Sequence, residues 1–86
     1  MDIVHDTRAQ RFHTVLDGHE AYLYYTLPEA GVLDVKTTFV PTALRGRRLG
    51  ADLVQRVATY AREQGLRITA TCWFARKVLE EAREQG

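Results

Sequence analysis

From His19 to Leu27 the chain alternates, with Ala21, Leu23, Tyr25 and Leu27 on one side of an extended segment and Tyr22, Tyr24 and Thr26 on the other. Period two with aromatic enrichment predicts a half-buried strand. Two further extended runs flank it. Arg11 to Leu16 ends at Asp17-Gly18, a hairpin signal, and Val32 to Val40 follows a turn predicted at Pro28-Glu29-Ala30-Gly31. With a short run beginning at Ile3 and Val4, the first half predicts an antiparallel meander with one buried face. The period then changes. Leu49, Leu53, Val54, Val57, Tyr60 and Ala61 recur at helical spacing, while Asp52, Gln55, Arg56, Arg62 and Glu63 take the wet side. This predicts a helix from about Leu49 to Gln64, stopped by Gly65. Leu66 to Thr71 reads as a strand again, and after such a helix it should return in parallel beside Val35 to Val40, closing a βαβ unit. Trp73 to Gln85, with Phe74, Val78, Leu79 and Ala82 on one side, predicts a last helix. The fold class is α+β (α/β): a mostly antiparallel sheet with a C-terminal βαβ unit and two helices, residues 1–86 forming one domain.

The junction between strand and central helix carries the strongest chemical signal. Pro41 lacks an N–H and ends the ladder, so the chain turns there. Arg45-Gly46-Arg47-Arg48-Leu49-Gly50-Ala51 then leads straight into the helix. The first N–H groups of a helix have no intrahelical partners and carry the positive end of its dipole, which suits a phosphate. A solvated basic loop is the ordinary alternative.

Composition narrows the setting. The chain has 86 residues, with 12 Lys and Arg against 11 Asp and Glu, a net charge of +1. Near-neutrality argues against broad nucleic-acid binding, so any basic site is local. No apolar run reaches the roughly 20 residues that span a bilayer, and the first residues lack the pattern of a signal peptide. One cysteine, Cys72, allows no intramolecular disulfide and fits a reducing compartment, so a cytoplasmic location is expected. A chain this short has a small core, and either a monomer or a homodimer is compatible with it.

Val40-Pro41, three further residues, Arg45-Gly46 and the helix start Leu49-Gly50-Ala51 together resemble motif A of the GNAT superfamily of acyl-CoA-dependent N-acyltransferases. The whole chain is similar to its compact YjdJ-type branch: an Asp-Gly hairpin, a Tyr-rich strand, a Thr-Phe-Val-Pro strand end, the motif A helix, and a strand leading to a lone cysteine and an aromatic. The resemblance implies a small GNAT-like fold that binds acetyl-CoA. Phe39 and Val40 would run along the pantetheine arm, and Arg45, Gly46, Arg47, Arg48, Leu49 and Gly50 would hold the pyrophosphate. Two positions depart from the pattern. Arg48 stands where the inner glycine belongs, and a glycine there permits close approach and φ above zero. Either the long side chain obstructs that approach, or the backbone stays helical at Arg48 and its guanidinium pairs with a phosphate. In addition, Thr37 and Thr38 stand where many members of the branch carry a histidine.

Acyl transfer from a thioester to an amine needs a deprotonated nucleophile, stabilisation of the oxyanion and an acid for the departing thiolate. Cys72 follows a strand and precedes a helix, where the dipole lowers a thiol pKa, and it matches the branch's cysteine. It is the candidate catalytic residue; the alternative is a small buried hydrophobe. His5, His13 and His19 show no metal-like spacing with one another or with Cys72, so no metal is expected. Glu20 reads as a base in a cleft or as an edge carboxylate. Trp73 and Phe74 read as pocket walls or as core, and Tyr25 and Tyr60 as packing. Tyr22 and Tyr24 face the other side of their strand, towards a substrate groove or a dimer contact. The leading expectation is acetyl transfer from acetyl-CoA to an unidentified amine. The alternatives are a CoA-binding or regulatory module without catalysis and a small nucleic-acid-binding domain in which Arg45, Arg47 and Arg48 meet phosphates.

Overall fold

The alternation along the first half produces four consecutive antiparallel strands: β1 (Val4–Asp6), β2 (Arg11–Leu16), β3 (His19–Glu29) and β4 (Val32–Phe39). The computed structural model describes the backbone of residues 2–85 and the side chains of residues 2–83. After β4 come a short 3-10 turn at Thr42–Leu44, the helix α1 (Leu49–Glu63), a fifth strand β5 (Arg67–Ala70) and the helix α2 (Trp73–Gln85). The strands form one sheet in the order β1-β2-β3-β4-β5, with β5 parallel to β4, so α1 is the crossover of a βαβ unit.

Both helices cover the same face. Ala21, Leu23 and Tyr25 of β3, with Leu33 and Val35 of β4, pack against Leu49, Leu53, Val54 and Val57 of α1 and Ala75 of α2. The other face carries the second set of each alternation and is left to solvent, as antiparallel sheets permit. Two rows cross it: Val4, His13, Tyr22 and Phe39, and then Asp6, Arg11, Tyr24 and Thr37. Among the described residues, no helix is long and apolar enough to cross a membrane.

Two irregularities shape β4. The expected turn at Pro28 is displaced, because β3 continues to Glu29 and Pro28 sits where the pairing shifts register between Thr26 and Glu29. A residue without an N–H is tolerated at such a break. Further along, Tyr24 pairs with Thr37 and Tyr25 with Val35, which makes Lys36 the extra residue of a β-bulge. The bulge lies where β4 loses its partner on the other side. The β4–β5 ladder ends at Val35 and Ala70, and the amides of Thr71 and Cys72 both donate to the Val35 carbonyl at 3.0 Å. Beyond that point β5 leaves the sheet, and the edge of β4 from Lys36 onward stands open.

Candidate functional site

The open edge of β4 leads directly to the start of α1. The residue before the helix, Arg48, has φ 60° and ψ 22°, in the left-handed region. Of the two backbones open to it, the structure shows the glycine-like one rather than the helical one. The conformation costs about 1–2 kcal/mol for a residue with a Cβ. It turns the chain so that Leu49 enters the core, with 2% of its surface exposed, and Gly50 is buried beside it. The Asp52 amide donates to the Arg48 carbonyl at 3.0 Å and begins the ladder. Among the described residues, no backbone or side-chain acceptor is hydrogen-bonded to the amides of Arg48, Leu49, Gly50 or Ala51, and no side chain caps the helix. Gly46 is also left-handed, at φ 85°, and a Cβ there would meet nothing within 4 Å, so its constraint is conformational.

Arg48, Leu49, Gly50 and Ala51 line a groove of about 680 Å³ between α1 and α2. Its floor is Thr38 of the open β4 edge and Val40 just past it, its first wall Arg45, Arg48 and Gly50, and its second wall Trp73, Phe74 and Lys77. Both aromatics of the α2 start therefore wall the groove; neither belongs to the core. Phe74 stands close over the helix start, where a Cβ added to Gly50 would come within 2.9 Å of its ring. The lack of a side chain at Gly50 is what lets the two helix starts approach.

Cys72 caps α2, its carbonyl accepting from the Arg76 amide at 3.0 Å. The thiol is half-buried at the parting of β4 and β5, and Sγ donates to Thr38 Oγ1 at 3.7 Å. Just before the parting, a buried carboxylate ties the strands together. Asp34 accepts from Thr69 Oγ1 at 2.6 Å and Thr71 Oγ1 at 2.7 Å, with Lys36 Nζ at 3.3 Å. Burial alone would raise its pKa, but the hydrogen bonds from Thr69, Thr71 and Lys36, together with the lysine charge, hold it below the usual carboxylate value.

Several expected residues lie elsewhere. The Phe39 side chain is on the open sheet face, 5.2 Å from the Tyr22 ring by centroids, so only its backbone borders the parting. The Arg47 guanidinium turns away to Asp17 in the β2–β3 turn at 2.8 Å. Glu20 is an exposed carboxylate bound to Arg11 at 2.8 Å, and His13 lies beside it at 3.4 Å. Arg11 also stands over the rings of Tyr22 and Tyr24. His5 stacks on Phe12 and meets the Tyr25 hydroxyl at 2.7 Å, and burial lowers its pKa against the opposing pull of Asp6. Tyr25 is pushed up to about 12, first by burial and then by Tyr60 beside it. Sequence reasoning missed Lys77 as a groove residue; its spacing of four from Trp73 was the available signal.

The donor set suits a diphosphate: unpartnered amides at a helix start, in a groove that Arg45 and Arg48 also line, continuous with an open strand edge. Residues 11–85 match the family described as GCN5-related N-acetyl-transferase. Protein NATD1 of Bos taurus is 33% identical over 81 residues, spanning 92% of this chain and 72% of that relative. Protein NATD1 of Homo sapiens is 32% identical over 81 residues, with 92% and 72% covered. The NMR solution structure of a GCN5-like putative N-acetyltransferase from Staphylococcus aureus superimposes with a TM-score of 0.77 at 27% identity, covering 96% of this chain and 81% of that one.

Proposed function

The chain belongs to the GCN5-related N-acetyltransferase family, and from that premise we propose that it binds acetyl-CoA in the α1–α2 groove and passes the acetyl group to a primary amine by direct attack. The unpartnered amides of Arg48 to Ala51 carry this reading, since these residues line the groove and their amides lack acceptors of their own. Bound acetyl-CoA supplies the activated acetyl thioester. The remaining roles fall to the chain. Arg45, Gly46, Arg48, Leu49 and Gly50 hold the diphosphate, and the open edge of β4 from Lys36 to Val40 offers backbone groups to the pantetheine amides. Cys72, paired with Thr38, lies at the end of that edge and donates its thiol proton to the departing thiolate. The lone cysteine and the aromatic after it also support the compact YjdJ-type branch.

A second reading has one observation in its favour. Among the described residues no histidine lines the groove, and its one carboxylate, Glu81, lies on α2 about two and a half turns past Cys72. With Asp34 outside the groove lining and bonded to Thr69 and Thr71, the groove would lack a base, and the chain would be a CoA-binding module that does not turn over. Calorimetric titration with acetyl-CoA, CoA and ATP, followed by thiol release across a panel of primary amines, tests both. Selective binding of the first two with turnover supports transfer; binding without thiol release leaves the module; equal binding of ATP removes both.

A further inference from the structure

The groove has cations on both walls, and only one wall is accounted for by a diphosphate at the start of α1. Arg45 and Arg48 stand on the α1 side, while Lys77 stands on the α2 side, one helical turn past Trp73. Lys77 has no ion pair among the described residues, although Glu81 follows one turn later on the same helix. Its Nζ lies 5.8 Å from the centroid of the Trp73 ring. That ring is 73% exposed, the most exposed of the large hydrophobic side chains described, in a residue type that folded chains usually bury. A broad aromatic surface left wet beside an unpaired ammonium, both on the rim of a groove, is the pairing that takes an aromatic base carrying a phosphate.

We infer that Trp73 and Lys77 form a second subsite on the α2 wall, which takes the 3′-phosphoadenosine end of coenzyme A, the indole stacking on adenine and the ammonium pairing with the 3′-phosphate. The inference rests on the cofactor reading above and adds to it a discrimination between phosphorylated and unphosphorylated adenosine ends. Coenzyme A carries its charge in two places, a diphosphate and a separate monophosphate, and the groove's cations are divided in the same way. Lys77 is a point donor on a flexible stem, suited to an exposed monophosphate, whereas the two arginines flank the amides where a diphosphate needs several donors.

The chain has one tryptophan, so its emission reports this wall alone. The 86-residue chain titrated by calorimetry should bind CoA about tenfold more tightly than dephospho-CoA, as expected for one charge-assisted contact. Lys77→Gln should bring that ratio within about twofold while leaving dephospho-CoA affinity unchanged. Trp73 emission should be quenched by CoA and by dephospho-CoA but not by 4′-phosphopantetheine. Both side chains are exposed, and circular dichroism checks that the variant is folded. Equal affinity for CoA and dephospho-CoA, an equal loss for both in Lys77→Gln, or unmoved emission at calorimetric saturation with CoA would each overturn the subsite while leaving the groove as the CoA site. Absence of heat with all three compounds would overturn the cofactor reading, and this inference with it.

Discussion

Arg48 does with a side chain what a glycine would do without one: it holds a left-handed turn, after which the first amides of α1 have no acceptors. The strain is removable. Arg48→Gly is expected to raise stability by about 1 kcal/mol, the relief of positive φ exceeding the glycine's extra entropy in the unfolded chain, and urea denaturation measures it. CoA affinity should change by less than about tenfold, because a lost guanidinium and an easier approach to phosphate oppose each other. An unchanged or lowered denaturation midpoint would show that the turn is not strained. Gly50 is constrained differently, since an added Cβ would come within 2.9 Å of the Phe74 ring. Gly50→Val should drive that ring from the helix start, cost about 1–3 kcal/mol and abolish CoA binding; unchanged affinity would place the cofactor elsewhere.

Strand ends decide the next level. β4 and β5 separate after Val35, and the carboxylate of Asp34 holds the last paired residues together through Thr69, Thr71 and Lys36. Asp34→Ala removes the acceptor from two hydroxyl donors and an ammonium, and a loss of about 2 kcal/mol is expected by denaturant titration. Because this carboxyl's pKa is lowered in the fold, its contribution is present above about pH 3.8 and lost as pH falls through the folded value. At the opposite edge, β1 is pinned by His5 against Phe12, Tyr25 and Tyr60. The folded pKa of His5 lies below 6.5, so the unfolded chain takes up its proton first. Stability is therefore full above that pH and declines as pH drops through it. Thermal midpoints between pH 8 and 5 should fall in the unaltered chain and fall less in His5→Gln; identical slopes would remove His5 from the account.

Across the whole molecule, the period-two run of β3 and the period-3.6 run of α1 were legible because each follows from which face is buried. The helical spacing that begins at Leu49 was enough to locate the helix start. The features that shape the groove were not legible, because they depend on pairing between segments distant in sequence. The bulge at Lys36 exists only in the register of β4 against β3, and the parting of β5 only in the double acceptance by the Val35 carbonyl. Likewise, Arg47 reads as one of three equivalent arginines until the hairpin brings Asp17 to it. The alternation also predicted that Tyr22 and Tyr24 oppose the buried face, and they do, but Phe39 joins them there through cross-strand register alone. Trp73 and Phe74 line the groove because Gly50 lets α2 start close to α1, a relation that no local pattern contains.

The central claim is that the amides at the start of α1 receive the diphosphate of acetyl-CoA. Titration of the ¹⁵N-labelled chain with acetyl-CoA, followed by amide chemical shifts, tests it most directly. The account predicts saturable shifts at Arg48 through Ala51 and along Lys36 to Val40, with the amides of β1 and β2 unmoved. Saturation that leaves Arg48 through Ala51 in place while other amides move would contradict it.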